Sequence, residues 1–184
     1  ALVVGTSTNI KASMSNYPIG STISKIQVSG NTTSKSATGS TDDLTVSSVT
    51  PNASGKNGIT VTVTVKFGTG GTKDYTYTYN VTPPAVNNFE VAASNVVSGT
   101  GTSGEPYVIA YEKTTTLTVS GSQASTDANS SLDAKFGNNN YSSTLTKDLT
   151  PNSNTQSIQV KAKYYNSKDD LSGAETTTQT IYYR

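Results

Sequence analysis

The sequence predicts an all-β protein made of two tandem sandwiches of antiparallel sheets. Three observations predict it. Residues 59–67 alternate Ile, Val, Val, Val and Phe with Thr and Lys, the period of two that marks a strand buried on one face. The chain also returns on itself: Ile26-Gln27-Val28-Ser29-Gly30 recurs as Leu117-Thr118-Val119-Ser120-Gly121, and Val49-Thr50-Pro51-Asn52 as Leu149-Thr150-Pro151-Asn152. Finally, 184 residues contain no His, Cys or Trp and only 14% charge, with Thr and Ser dominant. That composition suits Thr-covered outer faces of strands rather than disorder, which needs few β-branched residues and a high net charge.

The elements follow in order. Opening strands are expected at residues 1–4 and 8–14, then strands at 23–28 and 44–49. After Thr-Pro-Asn comes the long strand 59–67, a Gly-rich turn at 68–72, and a second alternating run at 74–81 with Tyr75, Tyr77, Tyr79 and Val81 on one face. Two such runs joined by a Gly-rich loop read as an antiparallel hairpin. The tyrosine face is expected to be core, with hydroxyls reaching the rim. Thr82-Pro83-Pro84-Ala85 marks the boundary, because two prolines remove two backbone donors and a central strand cannot run through them. The expected division is therefore 1–82, a short Pro-Pro joint at 83–85, and 86–184 as a second copy. The second half should open with strands near 88–92 and 106–110, continue at 115–119 and 143–149, and close with 158–164 and 176–183. Residues 132–136 fit a strand or one helical turn equally well.

Two Thr/Ser-rich units, each with a Val-Ser-Gly strand, a Thr-Pro-Asn turn and a closing Val/Tyr hairpin, resemble tandem bacterial immunoglobulin-like domains. The resemblance covers nearly the whole chain and implies immunoglobulin-like sandwiches that serve as stalks, spacers or binding heads on cell-surface and phage-virion proteins. The Cys–Trp–Cys pattern of antibody domains is absent.

Charge excludes some partners. The first 84 residues carry an excess of three positive charges and the remainder an excess of two negative ones. No basic cluster tracks a phosphate backbone, and the single Arg, Arg184, leaves little for base reading. No apolar run approaches about 20 residues. The expected partners are a protein or a glycan on a surface, with no nucleic acid and no membrane insertion. The expected location is extracellular or on a cell surface, with a virion as the alternative.

Chemistry is sparse. Without His, a nucleophile would need a Lys base such as Lys25, Lys35 or Lys147, each merely near serines. Carboxylate pairs for glycoside hydrolysis could come from Asp42-Asp43, Asp169-Asp170, Asp127 with Asp133, or Glu105 with Glu112, and those in turns are ordinarily solvated. The sequence therefore predicts no enzyme and no cofactor. A weak calcium candidate is Asp127 and Asn129 with Asp133, whose oxygen density is loosely suitable but whose default reading is a polar loop. If Ile158, Val160, Ala162 and Tyr164 point inward, Tyr165 points out, as must one of Tyr182 and Tyr183. Together with Asn166 these form the candidate ligand face, the basis of an alternative reading as a carbohydrate-binding module. The first hairpin has few edge guards beyond Lys66 and Lys73, so its Thr-rich face or edge is expected to meet a neighbouring chain or domain.

Overall fold

The computed structural model describes residues 1–184. Its strands are β1 (Leu2–Val3), β2 (Thr8–Ser13), β3 (Ser21–Gly30), β4 (Lys35–Thr41), β5 (Asp43–Val49), β6 (Gly55–Phe67), β7 (Thr72–Thr82), β8 (Val86–Ala93), β9 (Val96–Ser98), β10 (Val108–Ile109), β11 (Thr115–Gln123), β12 (Ser131–Phe136), β13 (Thr146–Leu149), β14 (Gln156–Asn166), β15 (Leu171–Ser172) and β16 (Gln179–Tyr183). There is no helix, and residues 131–136 resolve the open choice as a strand. β4 was not expected from the sequence, because Lys-Ser-Ala-Thr-Gly-Ser-Thr has no apolar alternation to announce it.

The chain divides into two compact units. The first holds Ala1–Pro84 with two later segments, Ser125–Ser130 and Asn166–Leu171; the second holds Ala85–Ala124, Ser131–Tyr165 and Ser172–Arg184.

In the first unit a five-stranded sheet runs β1-β7-β6-β3-β4 and faces a two-stranded sheet, β2-β5. All pairs are antiparallel except β1 with β7. The alternation of β6 does what the sequence predicts: Ile59, Val61, Val63 and Val65 are buried, while Thr60, Thr62 and Thr64 are only partly covered. They join Ile23, Ile26 and Val28 of β3 and Val46 and Val49 of β5 in one core. Lettered as an immunoglobulin sandwich, β2 and β5 are strands B and E, and β3, β4, β6 and β7 are C, C′, F and G.

In the second unit β13-β11-β8 form one sheet. In the other, β14 pairs with β12 on one side and with β15 and β16 on the other. Val91, Leu117 and Val119 from the first sheet meet Ala134, Phe136, Val160, Ala162 and Ile181 from the second in a separate core. These strands are A (β8), B (β11) and E (β13) against C (β12), F (β14) and G (β16). Both units are thus immunoglobulin-like β-sandwiches.

The internal repeat, read in sequence as one blueprint copied, is only partly carried into structure. Thr-Pro-Asn leads into strand F in both units. The Val-Ser-Gly segments are not equivalent. Val28 lies on β3 and pairs with Val61 of β6, whereas Val119 lies on β11, pairs with Val91 of β8, and sits in the sheet that lacks β14. One five-residue pattern serves as strand C in the first unit and strand B in the second. The physical reason is that alternation fixes which side chains face inward and is silent on which strands lie alongside.

Candidate functional site

The predicted ligand face in the second unit comes apart along β14. Its side chains alternate as expected, with Val160, Ala162 and Tyr164 buried and Tyr165 half-buried on the opposite face. Asn166 follows the same alternation back to the buried side and is 1% exposed. Of the last two tyrosines, Tyr183 is buried and Tyr182 faces outward. Tyr182 pairs with Ser157 near the start of β14, while Tyr165 pairs with Ser131 of β12 at the far end. Eight residues of strand separate the two levels, about 26 Å at 3.3 Å per residue. Tyr165, Asn166, Tyr182 and Tyr183 are therefore not brought together on one surface.

Tyr165 instead belongs to a layer of aromatic rings and ammonium groups on the outer face of β12 and β14. Lys163 Nζ lies 5.4 Å from the Tyr165 ring centre and 4.5 Å from that of Tyr141, and Lys135 Nζ lies 6.0 Å from Tyr141. Ala134 and Ser142 bond to each other through both backbone groups, at 2.9 and 3.0 Å, and hold the Tyr141 segment beside β12. Burial, and then the nearby Glu175 carboxylate, push the Tyr141 phenol above its ordinary range. Glu175 itself is held below the usual carboxylate value by Lys161, 3.1 Å away, and by Tyr141. Each charge already has a partner, so this layer knits the sheet's outer face and offers no poised acid or base.

The calcium candidates are engaged otherwise. Asp133 is buried and sits across from Lys163. Burial pushes its carboxyl up, and the Lys163 charge pulls it back down. Asp127 Oδ1 accepts from the N–H groups of Ser54 and Asn129, each at 3.1 Å. Asn129 Nδ2 donates to the Ser54 carbonyl at 2.8 Å and Asn166 Nδ2 to Ser54 Oγ at 3.0 Å. Burial opposes ionisation of Asp127, but the bonds from Ser54, Ser130 and Asn129 outweigh it and hold the carboxyl below its ordinary value. Ser54 is 0% exposed. This Ser–Asp–Asn cluster resembles catalytic chemistry in composition, yet a hydroxyl sealed from any substrate is a loop anchor. No pattern in sequence announces it, since its members lie 73 to 112 residues from Ser54.

A more open feature lies in the first unit. Tyr75, Tyr77 and Tyr79 of β7 pair with Val63, Val61 and Ile59 of β6, so they share the inward face, as the sequence predicts. They are not core, however: Tyr77 is 51% and Tyr79 46% exposed. The reason is what stands opposite, since the β2-β5 sheet is too narrow to cover β7. A cleft of about 210 Å³ results, lined by residues 10–14, by Val61, Val63 and Val65, and by the three tyrosines. Tyr17 bounds it, with its ring centre 6.4 Å from Tyr75 edge-on and 6.3 Å from Phe67. Lys11, its one lysine, is bound to Asp43 at 2.8 Å. A second concavity of about 610 Å³ lies beyond Tyr79, lined by Ala1, Leu2, residues 9–11 and 78–80.

No family model matches the chain, and no curated protein matches it. Among solved structures it is similar to murine CEACAM1b, at 13% identity and a TM-score of 0.48 with 100% of this chain and 94% of that chain covered. It is also similar to fibronectin(III)-like modules of Clostridium thermocellum CbhA, at 12% identity and a TM-score of 0.34, covering 100% and 88%. The immunoglobulin-like assignment rests on the strand orders themselves.

Proposed function

We propose that the chain is a non-catalytic structural and adhesive module of a bacterial cell-surface or extracellular protein, acting as a stalk or a binding module. The observation that carries this reading is the nature of its cleft. The walls are valines and tyrosines, and the one ammonium group at its edge is already paired with Asp43. Such a surface suits contact and has no group poised for proton transfer or nucleophilic attack. The Thr-rich outer faces keep the sheets hydrated with little charge, and Pro83-Pro84 supplies a short joint between the two halves. The partner we favour is a protein. The separation of Tyr165 from Tyr182 along β14 removes the pair of rings on which the second unit's candidate sugar-binding face depended.

The test is location together with activity. Antibody raised against the 184 residues should label intact, unpermeabilised cells of the producing organism, and protease applied outside should remove the label. Label found only after lysis, or turnover of any substrate in a hydrolase panel by the purified chain, would contradict the proposal.

A further inference from the structure

The two sandwiches differ in what lies beside strand B. In the second unit β11, strand B, is bonded on both sides, by β13 and by β8. β8 thereby covers the inner face of the sheet's far side, and the inward residues of strand G, Ile181 and Tyr183, are 2% and 8% exposed. In the first unit the corresponding strand, β2, is bonded to β5 alone. The chain ahead of β2 pairs instead with strand G, as β1 running parallel to β7, so no strand lies on the far side of β2, and the inward tyrosines of strand G are half exposed. The lining of the cleft shows which edge is open. Consecutive residues 10–14 border it, whereas a strand presenting a face would contribute only alternate ones. The free edge of β2 thus looks across the gap at the tyrosine row.

We propose that this edge accepts an extended segment of a partner protein. The segment is six to eight residues long, uncharged on its inward side and apolar at alternate positions. It adds to β2 as an antiparallel strand and lays its apolar side chains on Tyr77 and Tyr79. This is strand addition, in which main-chain bonds give affinity and alternate side chains give selectivity. The chain itself shows what fills the place: β8 runs antiparallel to β11 and sends Phe89, Val91 and Ala93 against the core. Charge agrees, because pairing of Lys11 with Asp43 leaves an aromatic and aliphatic wall that favours neither an acidic nor a basic peptide. Length agrees as well, since residues 8–13 of β2 span about 20 Å and the second concavity shares Ile10, Lys11 and Tyr79 with the cleft. A second copy is disfavoured because its own alternating strands are already committed to sheets. The inference does not depend on where the protein resides.

The experiment uses the full chain and two capped peptides, one of the β8 sequence Val86–Ala93 and one of alternating Val and Thr. Amide hydrogen exchange is followed residue by residue by NMR. The expected result is that at least one peptide slows exchange of the β2 amides not bonded to β5 by tenfold or more and shifts the ring signals of Tyr77 and Tyr79. A peptide with proline at two inner positions should have no effect. The double variant Tyr77→Lys, Tyr79→Lys changes exposed residues, so it should fold and lose the response. No protection from either peptide at millimolar concentration would overturn the proposal, as would protection on the outer edge of β7 in place of β2, or a response that survives in the double variant. Self-association that protects β2 without peptide would also overturn it and assign the edge to a second copy.

Discussion

Gly30 and Gly121 end the same Val-Ser-Gly motif, yet alanine should be costly at the first and cheap at the second. Gly30 has φ +100°, and a Cβ there would lie 2.3 Å from the carbonyl oxygen of Gly58 on the neighbouring strand. Holding alanine at positive φ costs about 1–2 kcal/mol. Relieving the clash requires β3 and β6 to separate where Asn31 N–H donates to that same carbonyl at 2.7 Å, a further loss of about 1 kcal/mol. The expected destabilisation by Gly30→Ala is about 3 kcal/mol, which lowers the melting temperature of a domain this size by about 12–24 °C. At Gly121 the backbone is not left-handed, and the added Cβ meets the Val86 Cγ1 methyl at 2.6 Å, a side-chain contact that a small shift of Val86 must relieve. Overpacking of about 1 kcal/mol is offset by the smaller entropy of the unfolded chain, about 0.4–1 kcal/mol, leaving less than 1 kcal/mol. Scanning calorimetry of wild type and both variants measures this. Equal effects, or a larger one at Gly121, would refute the claim that the two motifs sit in different structural positions.

Other expectations follow from the cores and the buried carboxylates. Ile26→Ala and Leu117→Ala each empty a fully buried site and should cost about 2–5 kcal/mol. In urea unfolding followed by assigned NMR signals, Ile26→Ala should act chiefly on first-unit reporters and Leu117→Ala on second-unit reporters. Asp127→Ala strands the buried N–H of Ser54 and should cost about 1–3 kcal/mol at pH 7. Because the folded carboxyl is held below its ordinary value, its contribution is complete above about pH 4 and fades as pH falls through the lowered pKa. The variant's stability should therefore be flatter than wild type's over that acid range. Asp133 has the opposite sign: its folded pKa is raised, chiefly by burial, so stability from this group is lost as pH rises from the ordinary carboxylate value through the raised one. Asp133→Asn should leave stability at pH 7 unchanged or increased, read by chemical denaturation at pH 3 and pH 7.

Much of the fold is legible in the residues because alternation is a local signal. The β6–β7 hairpin, the inward set Val160, Ala162 and Tyr164, and the outward Tyr165 all follow from a period of two. Asn166 could have been assigned to the buried side by the same rule, since it lies two residues beyond Tyr164; its polarity argued for the surface, and its bond to Ser54 Oγ satisfies it inside. What alternation does not carry is lateral order. It puts Tyr75, Tyr77 and Tyr79 on one inward face, but whether they are covered depends on how many strands stand opposite. It makes the two Val-Ser-Gly segments look alike, although one pairs with the strand after Thr-Pro-Asn and the other does not. The Ser54–Asp127–Asn166 cluster was invisible because loops distant in sequence supply it. The aromatic layer around Tyr141 depends on a backbone contact between Ala134 and Ser142 that no motif marks.

The central claim is that two immunoglobulin-like sandwiches are built with different strand orders, the first with no strand on the free side of β2. Backbone NOE ladders on isotope-labelled protein test it most directly. They should connect Ile26 to Val63 and Val28 to Val61 in the first unit, and Val119 to Val91 in the second, with no ladder on the free side of β2. A continuous ladder joining β11 to β14, or one filling that side of β2 in the unliganded chain, would contradict the account.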